Sequence, residues 1–145
     1  MESSKRKVQS KVRRVVLTTV IMGALAAAIL SAQDKGVKAS NAWVKLPSTG
    51  ETEAMAFVTI ENPGMYEVNV TAAKSDSGKV ELRDAGQTVT FISVPPYGRV
   101  DMSPGGVHLR LLDLKRPLKE GDTIALTLST DVDVTLEASA IVRQQ

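Results

Sequence analysis

The chain has 145 residues, no cysteine and a formal net charge of +2. Without thiols it has no disulfides, no thiolate metal ligands, no thiol catalysis and no sulfur for lipid attachment. The charge is divided: residues 1–14 carry six basic side chains against one acidic, while residues 34–145 carry 12 basic and 15 acidic, and so mildly acidic a domain argues against nucleic acid as a partner.

In chain order, the basic residues 1–14 lead into residues 15–33, which contain no charged side chain. A helix of that length spans roughly 28 Å, about the hydrocarbon thickness of a bilayer. Val15, Leu17, Ile21, Leu25, Ile29 and Leu30 are its bulky apolar positions. Gly23, Ala24, Ala26, Ala27 and Ala28 would allow close approach of a neighbouring helix. The basic cluster ahead of the run places residues 1–14 in the cytoplasm and sends the rest across the bacterial inner membrane as a single-pass protein. The competing reading is a cleaved signal peptide. Its small-x-small sites, Ala24-Leu-Ala and Ala26-Ala-Ala, fall inside the apolar run, and Leu30-Ser-Ala has a bulky residue at the wrong place.

Residues 34–40 read as a short polar linker, and residues 41–145 as the exported domain. Strands are expected at 41–46, 53–61, 66–73, 79–84, 88–94, 99–102, 107–112, 123–129 and 132–142, separated by Gly, Pro and Asn turns. Residues 66–73 show the apolar–polar alternation of a half-buried strand. Ala85-Gly-Gln marks a tight hairpin. With no helical periodicity after the anchor, the fold class is all-β: an antiparallel sandwich of seven to nine strands, cupredoxin- or immunoglobulin-like, preceded by one transmembrane helix.

Several segments together resemble the bacterial periplasmic copper chaperone family PCuAC. They are Asn41-Ala-Trp-Val-Lys45, Ala56-Phe-Val-Thr-Ile-Glu-Asn-Pro-Gly64, Lys79-Val-Glu-Leu82 and the block running from Ser103-Pro-Gly-Gly-Val-His-Leu-Arg110 to Thr123. The resemblance implies a cupredoxin-like sandwich and a copper(I) site of histidine and methionine serving cytochrome oxidase. Copper(I) is soft, and thioether and imidazole suit it. The family pattern has histidine after Val-Glu-Leu, where this chain has Arg83, and His-x-Met on a later strand, where this chain has His108-Leu-Arg110. Residues 86–94 hold no methionine. One ligand position, His108, is kept. A guanidinium about 5 Å from a bound cation would cost about 3 kcal/mol at an effective dielectric near 20, roughly a hundredfold in affinity.

The expectation is therefore a metal-free domain without a cofactor. His108 is a remnant ligand whose plain role is a backbone-bonded strand residue, and Met102 is a weaker substitute ligand whose plain role is core packing. Arg83 and Arg110 form an arginine-lined patch for a partner's carboxylate, or pair with Asp84 or Asp113. Met55 and Met65 are expected in the core or at an end of the sandwich, and Trp43 at its entry. No nucleophile–base arrangement or phosphate loop is present, so an enzyme is not expected. The function expected is that of an accessory subunit in a respiratory or photosynthetic electron-transfer complex. It would be held through its membrane helix and sandwich loops, with the lipid bilayer as a second partner. The competing reading is a copper(I) chaperone with an altered site.

Overall fold

A computed structural model describes residues 36–145, and the expected membrane anchor lies outside them. Among the described residues there is no helix long and apolar enough to cross a membrane. Ten strands follow in order: β1 (Lys38–Lys45), β2 (Ala54–Asn62), β3 (Val68–Ser75), β4 (Lys79–Asp84), β5 (Gln87–Thr88), β6 (Ile92–Val94), β7 (Gly98–Asp101), β8 (His108–Leu112), β9 (Thr123–Thr130) and β10 (Thr135–Arg143).

The strands form one curled sheet in the order β5-β4-β8-β2-β1-β10-β9-β3-β6, with β7 continuing the β8 side along the far half of β2. The curl follows from alternation. Ala54, Ala56, Val58 and Ile60 of β2 are buried on one face, as are Leu109 and Leu111 of β8 and Ile124, Leu126 and Leu128 of β9. One apolar face per strand must close on itself to leave water. The result is the cupredoxin-like sandwich, a single core with Val44, Val70, Val94 and Val142 completely enclosed.

Four details differ from the sequence expectation. Strand β1 starts at Lys38 instead of residue 41, because Lys38, Ala39 and Ser40 pair with Glu61, Ile60 and Thr59. The register then shifts before Trp43, with Asn41 at φ 50°, a bulge that hides the strand's continuity. The stretch expected as one strand at 88–94 is two, since β5 pairs with β4 while β6 crosses to β3. Ten strands thus replace seven to nine. The sheet is also not wholly antiparallel, since β1 and β10 run parallel, Trp43 beside Ile141. Finally, residues 66, 67 and 132–134 lie in loops, and the turn before β10 places Asp133 at φ 58°.

The tight hairpin at Ala85 is present. Arg83 pairs with Thr88 and Asp84 with Gln87, leaving Ala85 and Gly86 as a two-residue turn with both φ positive.

The register defines two ends of the sandwich. At one lie the end of β1, the start of β2, the turn between β3 and β4, and the residues leading into β9. At the other lie the start of β1 and loops 62–67, 95–98 and 131–134.

Candidate functional site

The candidate site is a cleft at the first end. It is bounded by the loop from β1 to β2, with Met55, His108 and Arg110 on its sheet side, and its volume is about 580 Å³. Strand geometry puts these side chains together. Leu109 and Leu111 point into the core, so His108 and Arg110, two residues apart, share the outer face of β8. Across the ladders, Arg110 stands between Met55 of β2 and Glu81 of β4, while Arg83 stands opposite His108.

His108 is nearly buried, at 7% exposure, with the ring of Phe57 6.2 Å away. Its Nδ1 donates to the Gly106 carbonyl at 2.9 Å. A carbonyl oxygen only accepts, so in the neutral ring the proton sits on Nδ1 and the lone pair on Nε2. Phe57 in turn carries Trp43 at 4.5 Å between centroids, and the Arg143 guanidinium lies 4.4 Å from the Trp43 ring centre. Trp43 thus packs on the outer face of the sheet.

Both arginines already have partners. Arg110 donates through Nε to Glu53 at 2.8 Å, and its Nη2 also bonds that carboxylate. The partner is therefore neither Asp84 nor Asp113; Asp113 faces Lys79 at 3.4 Å instead. Arg83 donates to Thr88 Oγ1 at 2.7 Å and to the Gly86 carbonyl at 2.8 Å, with Glu81 at 3.6 Å. These contacts change the electrostatic argument. The positive charge beside His108 is countered by Glu53 and Glu81, so charge alone disfavours a cation less than the unpaired arginines would. For a soft cation the cleft offers the His108 imidazole and the Met55 thioether, and among the described residues no group of three or more His, Cys, Asp or Glu side chains converges as a site for a harder metal.

The methionines take the plain positions expected of them, in the core or at an end of the sandwich. Met102 is buried in the core, its backbone N–H bonded to the Val58 carbonyl, and it does not line the cleft. Met55, for which no sequence spacing suggested a link to His108, does line it. Only the pairing of β2 with β8 brings them to one cleft. Met65 takes the second of its expected places, in loop 62–67 at the opposite end of the sandwich, 62% exposed. Glu53 is the residue that sequence reading missed altogether, because it lies 57 positions from Arg110 and meets it only across the fold.

The curled β domain is PCuAC-like, as its likeness to solved structures shows. The copper-bound PCuAC domain from PmoF2 superposes with a TM-score of 0.69 at 26% identity, covering 75% of this chain and 93% of that one. The copper(I) form of DR1885 from Deinococcus radiodurans gives 0.67 at 25% identity, covering 82% and 87%.

Within that class the chain belongs to the LpqE-like family: the family model described as "Putative lipoprotein LpqE-like" matches residues 37–142. "Putative lipoprotein Lxx21020" of Leifsonia xyli subsp. xyli (strain CTCB07) is 30% identical over 106 residues. That match covers 66% of this chain and 63% of the relative, so the chain matches less than two thirds of the relative's length.

Proposed function

We propose that this chain is a non-enzymatic, membrane-anchored, extracytoplasmic PCuAC-like domain that holds no copper and serves as an accessory subunit of a membrane electron-transfer complex. The observation that carries the proposal is the ion pair between Arg110 and Glu53. It occupies the position two residues from His108 at which the family resemblance calls for a thioether. A guanidinium there supplies five donors and no lone pair. The bilayer location draws on the uncharged residues 15–33 and on relatives whose names call them lipoproteins. The electron-transfer setting draws on the family's implied link to cytochrome oxidase.

Copper(I) titration of the purified chain against a competing chelator tests the metal-free part. Wild type is expected to show no stoichiometric submicromolar binding. Arg110→Met, which adds a thioether beside His108 and Met55, is expected to raise affinity at least about tenfold, or 1.4 kcal/mol. Tight wild-type binding that His108→Ala abolishes would overturn the metal-free reading. Extraction in mild detergent tests the other part: the chain should come out with a membrane complex, and recovery as free monomer alone would sink the subunit reading.

A second reading has its own support. The Nδ1–Gly106 bond orients the His108 ring and leaves Nε2 as the lone-pair atom, as a metal-ligating histidine requires, and Met55 lines the same cleft. A copper(I) chaperone with a His108–Met55 site is what the titration would reveal if the first reading fails.

A further inference from the structure

The end of the sandwich opposite the cleft exposes a set of large apolar side chains. Tyr66 is 76% exposed, Tyr97 72% and Val132 49%, with Met65 and Val134 also in solvent. They come from three loops, two joined directly by a hydrogen bond and the third tied to the start of β3. Asn62 Nδ2 donates to the Tyr66 carbonyl at 2.7 Å, and Tyr97 N–H donates to the Gly64 carbonyl at 2.9 Å. Asp131 accepts from the Asn69 backbone and side chain, both at 2.9 Å. Both tyrosines of the chain are at this end.

Two further features single out this surface. Tyr97 has φ 50°, the left-handed region that a bulky residue enters only at a cost of about 1–2 kcal/mol. The fold bears that strain while pointing the ring outward. The same end also receives the chain from residues 15–33: β1 begins at Lys38, only four residues after the uncharged run. Four extended residues reach at most about 14 Å.

We infer that loops 62–67, 95–98 and 131–134 form a membrane-docking surface that seats Met65, Tyr66, Tyr97 and Val132 in the headgroup region of the bilayer. The inference rests on the anchored reading of residues 15–33, which makes the lipid surface the nearest partner. Tyrosine suits it, with an apolar ring for the acyl boundary and a hydroxyl for water and headgroups. Charge does not drive the contact. Glu61, Glu67, Asp131 and Asp133 at this end outnumber Lys38 and Arg99, so the docking is apolar and salt, which screens repulsion from anionic headgroups, does not weaken it.

The absence of cysteine allows single nitroxide labels through Tyr66→Cys, Val132→Cys, Thr49→Cys, Glu120→Cys and Ile21→Cys, each in the full chain reconstituted into phosphatidylethanolamine–phosphatidylglycerol vesicles. Labels at 66 and 132 are expected to be more accessible to oxygen than to an aqueous relaxant, and those at 49 and 120 the reverse. Tyr97→Gly, which accepts the same φ, combined with Met65→Ser, should shift the label at 66 toward water. If the label at 21 is buried and the other four are aqueous, the docking surface is wrong and the anchor stands. If the label at 21 is itself aqueous, the anchored reading falls and takes the docking surface with it.

Discussion

At the cleft end polar groups face one another: Arg110 has Glu53, His108 has the Gly106 carbonyl, and Arg83 has Thr88 and Gly86. At the opposite end apolar groups face water, and Tyr97 does so from a strained backbone. The two ends share one core and one sheet, so the fold cannot account for the contrast. What differs is whether side chains find partners within the chain. The end where the family resemblance calls for a metal site has largely closed its chemistry internally, and the end where β1 begins leaves its apolar side chains in water. The contact surface proposed above is thus displaced from where the family resemblance points.

The largest test of this contrast is Phe57→Ala. Phe57 is fully buried and stands between Trp43 and His108 on the wall of the cleft end. Removing the ring deletes packing and leaves a cavity, at a cost of about 3–5 kcal/mol. Urea unfolding followed by Trp43 fluorescence measures it. The contrast holds if hydrogen exchange in loops 62–67 and 131–134 then changes only as much as global stability does. Selective loosening of those loops would show that the two ends are coupled.

The architecture was readable because strand alternation and turn residues are local signals. The strands at 53–61, 79–84 and 123–129 fall within a residue of β2, β4 and β9. Signals that depend on distant pairing were not readable. The bulge after Ser40 and the parallel pairing of β1 with β10 are decided by neighbours about 100 residues away in the second case. The site divides in the same way. His108, Arg83 and Arg110 stood out because they occupy positions in a recognisable block. Glu53 and Met55 did not, since only the β2–β8 register gives them meaning. Met65 was expected in the core or at an end of the sandwich, and only the loop geometry decided for the end, where it is exposed.

A smaller effect is expected from Glu53→Gln. Both partners of the ion pair are partly exposed, with 37% of the Arg110 side chain and 45% of the Glu53 side chain accessible. Exposed pairs contribute little, so the loss should be about 0.5–1 kcal/mol. A double-mutant cycle with Arg110→Gln measures the coupling. The more telling result is chemical: Arg110 without its carboxylate becomes an open anion site, and the cleft end then resembles the other end in lacking an internal partner. Acetate or a carboxylate-bearing peptide should perturb amide signals around residues 53–55 and 108–110 in Glu53→Gln and not in wild type. Equal perturbation in both would show that the pair does not close the cleft.

The smallest expected effect concerns Asp131, which ties the loop before β10 to β3. The backbone N–H of Asn69, and then its side-chain amide, donate to the carboxylate and lower its pKa below the ordinary 3.8. The sign follows from linkage. A carboxyl whose pKa is lower folded than unfolded adds stability that is fully present well above pH 3.8 and is lost as pH falls through the folded value. Because Asp131 is fully solvent-exposed, the effect should appear as local opening of residues 130–134 before global unfolding. Amide exchange of Asn69 and Asp131 followed from neutral pH down through the acid range reads this directly, once the intrinsic pH dependence of exchange is divided out. Asp131→Asn should show the looser loop already at neutral pH and no further acid step there. An acid step that persists in Asp131→Asn would mean that another carboxyl holds this end together. The apolar loops would then owe their arrangement to something other than the Asn69–Asp131 clasp.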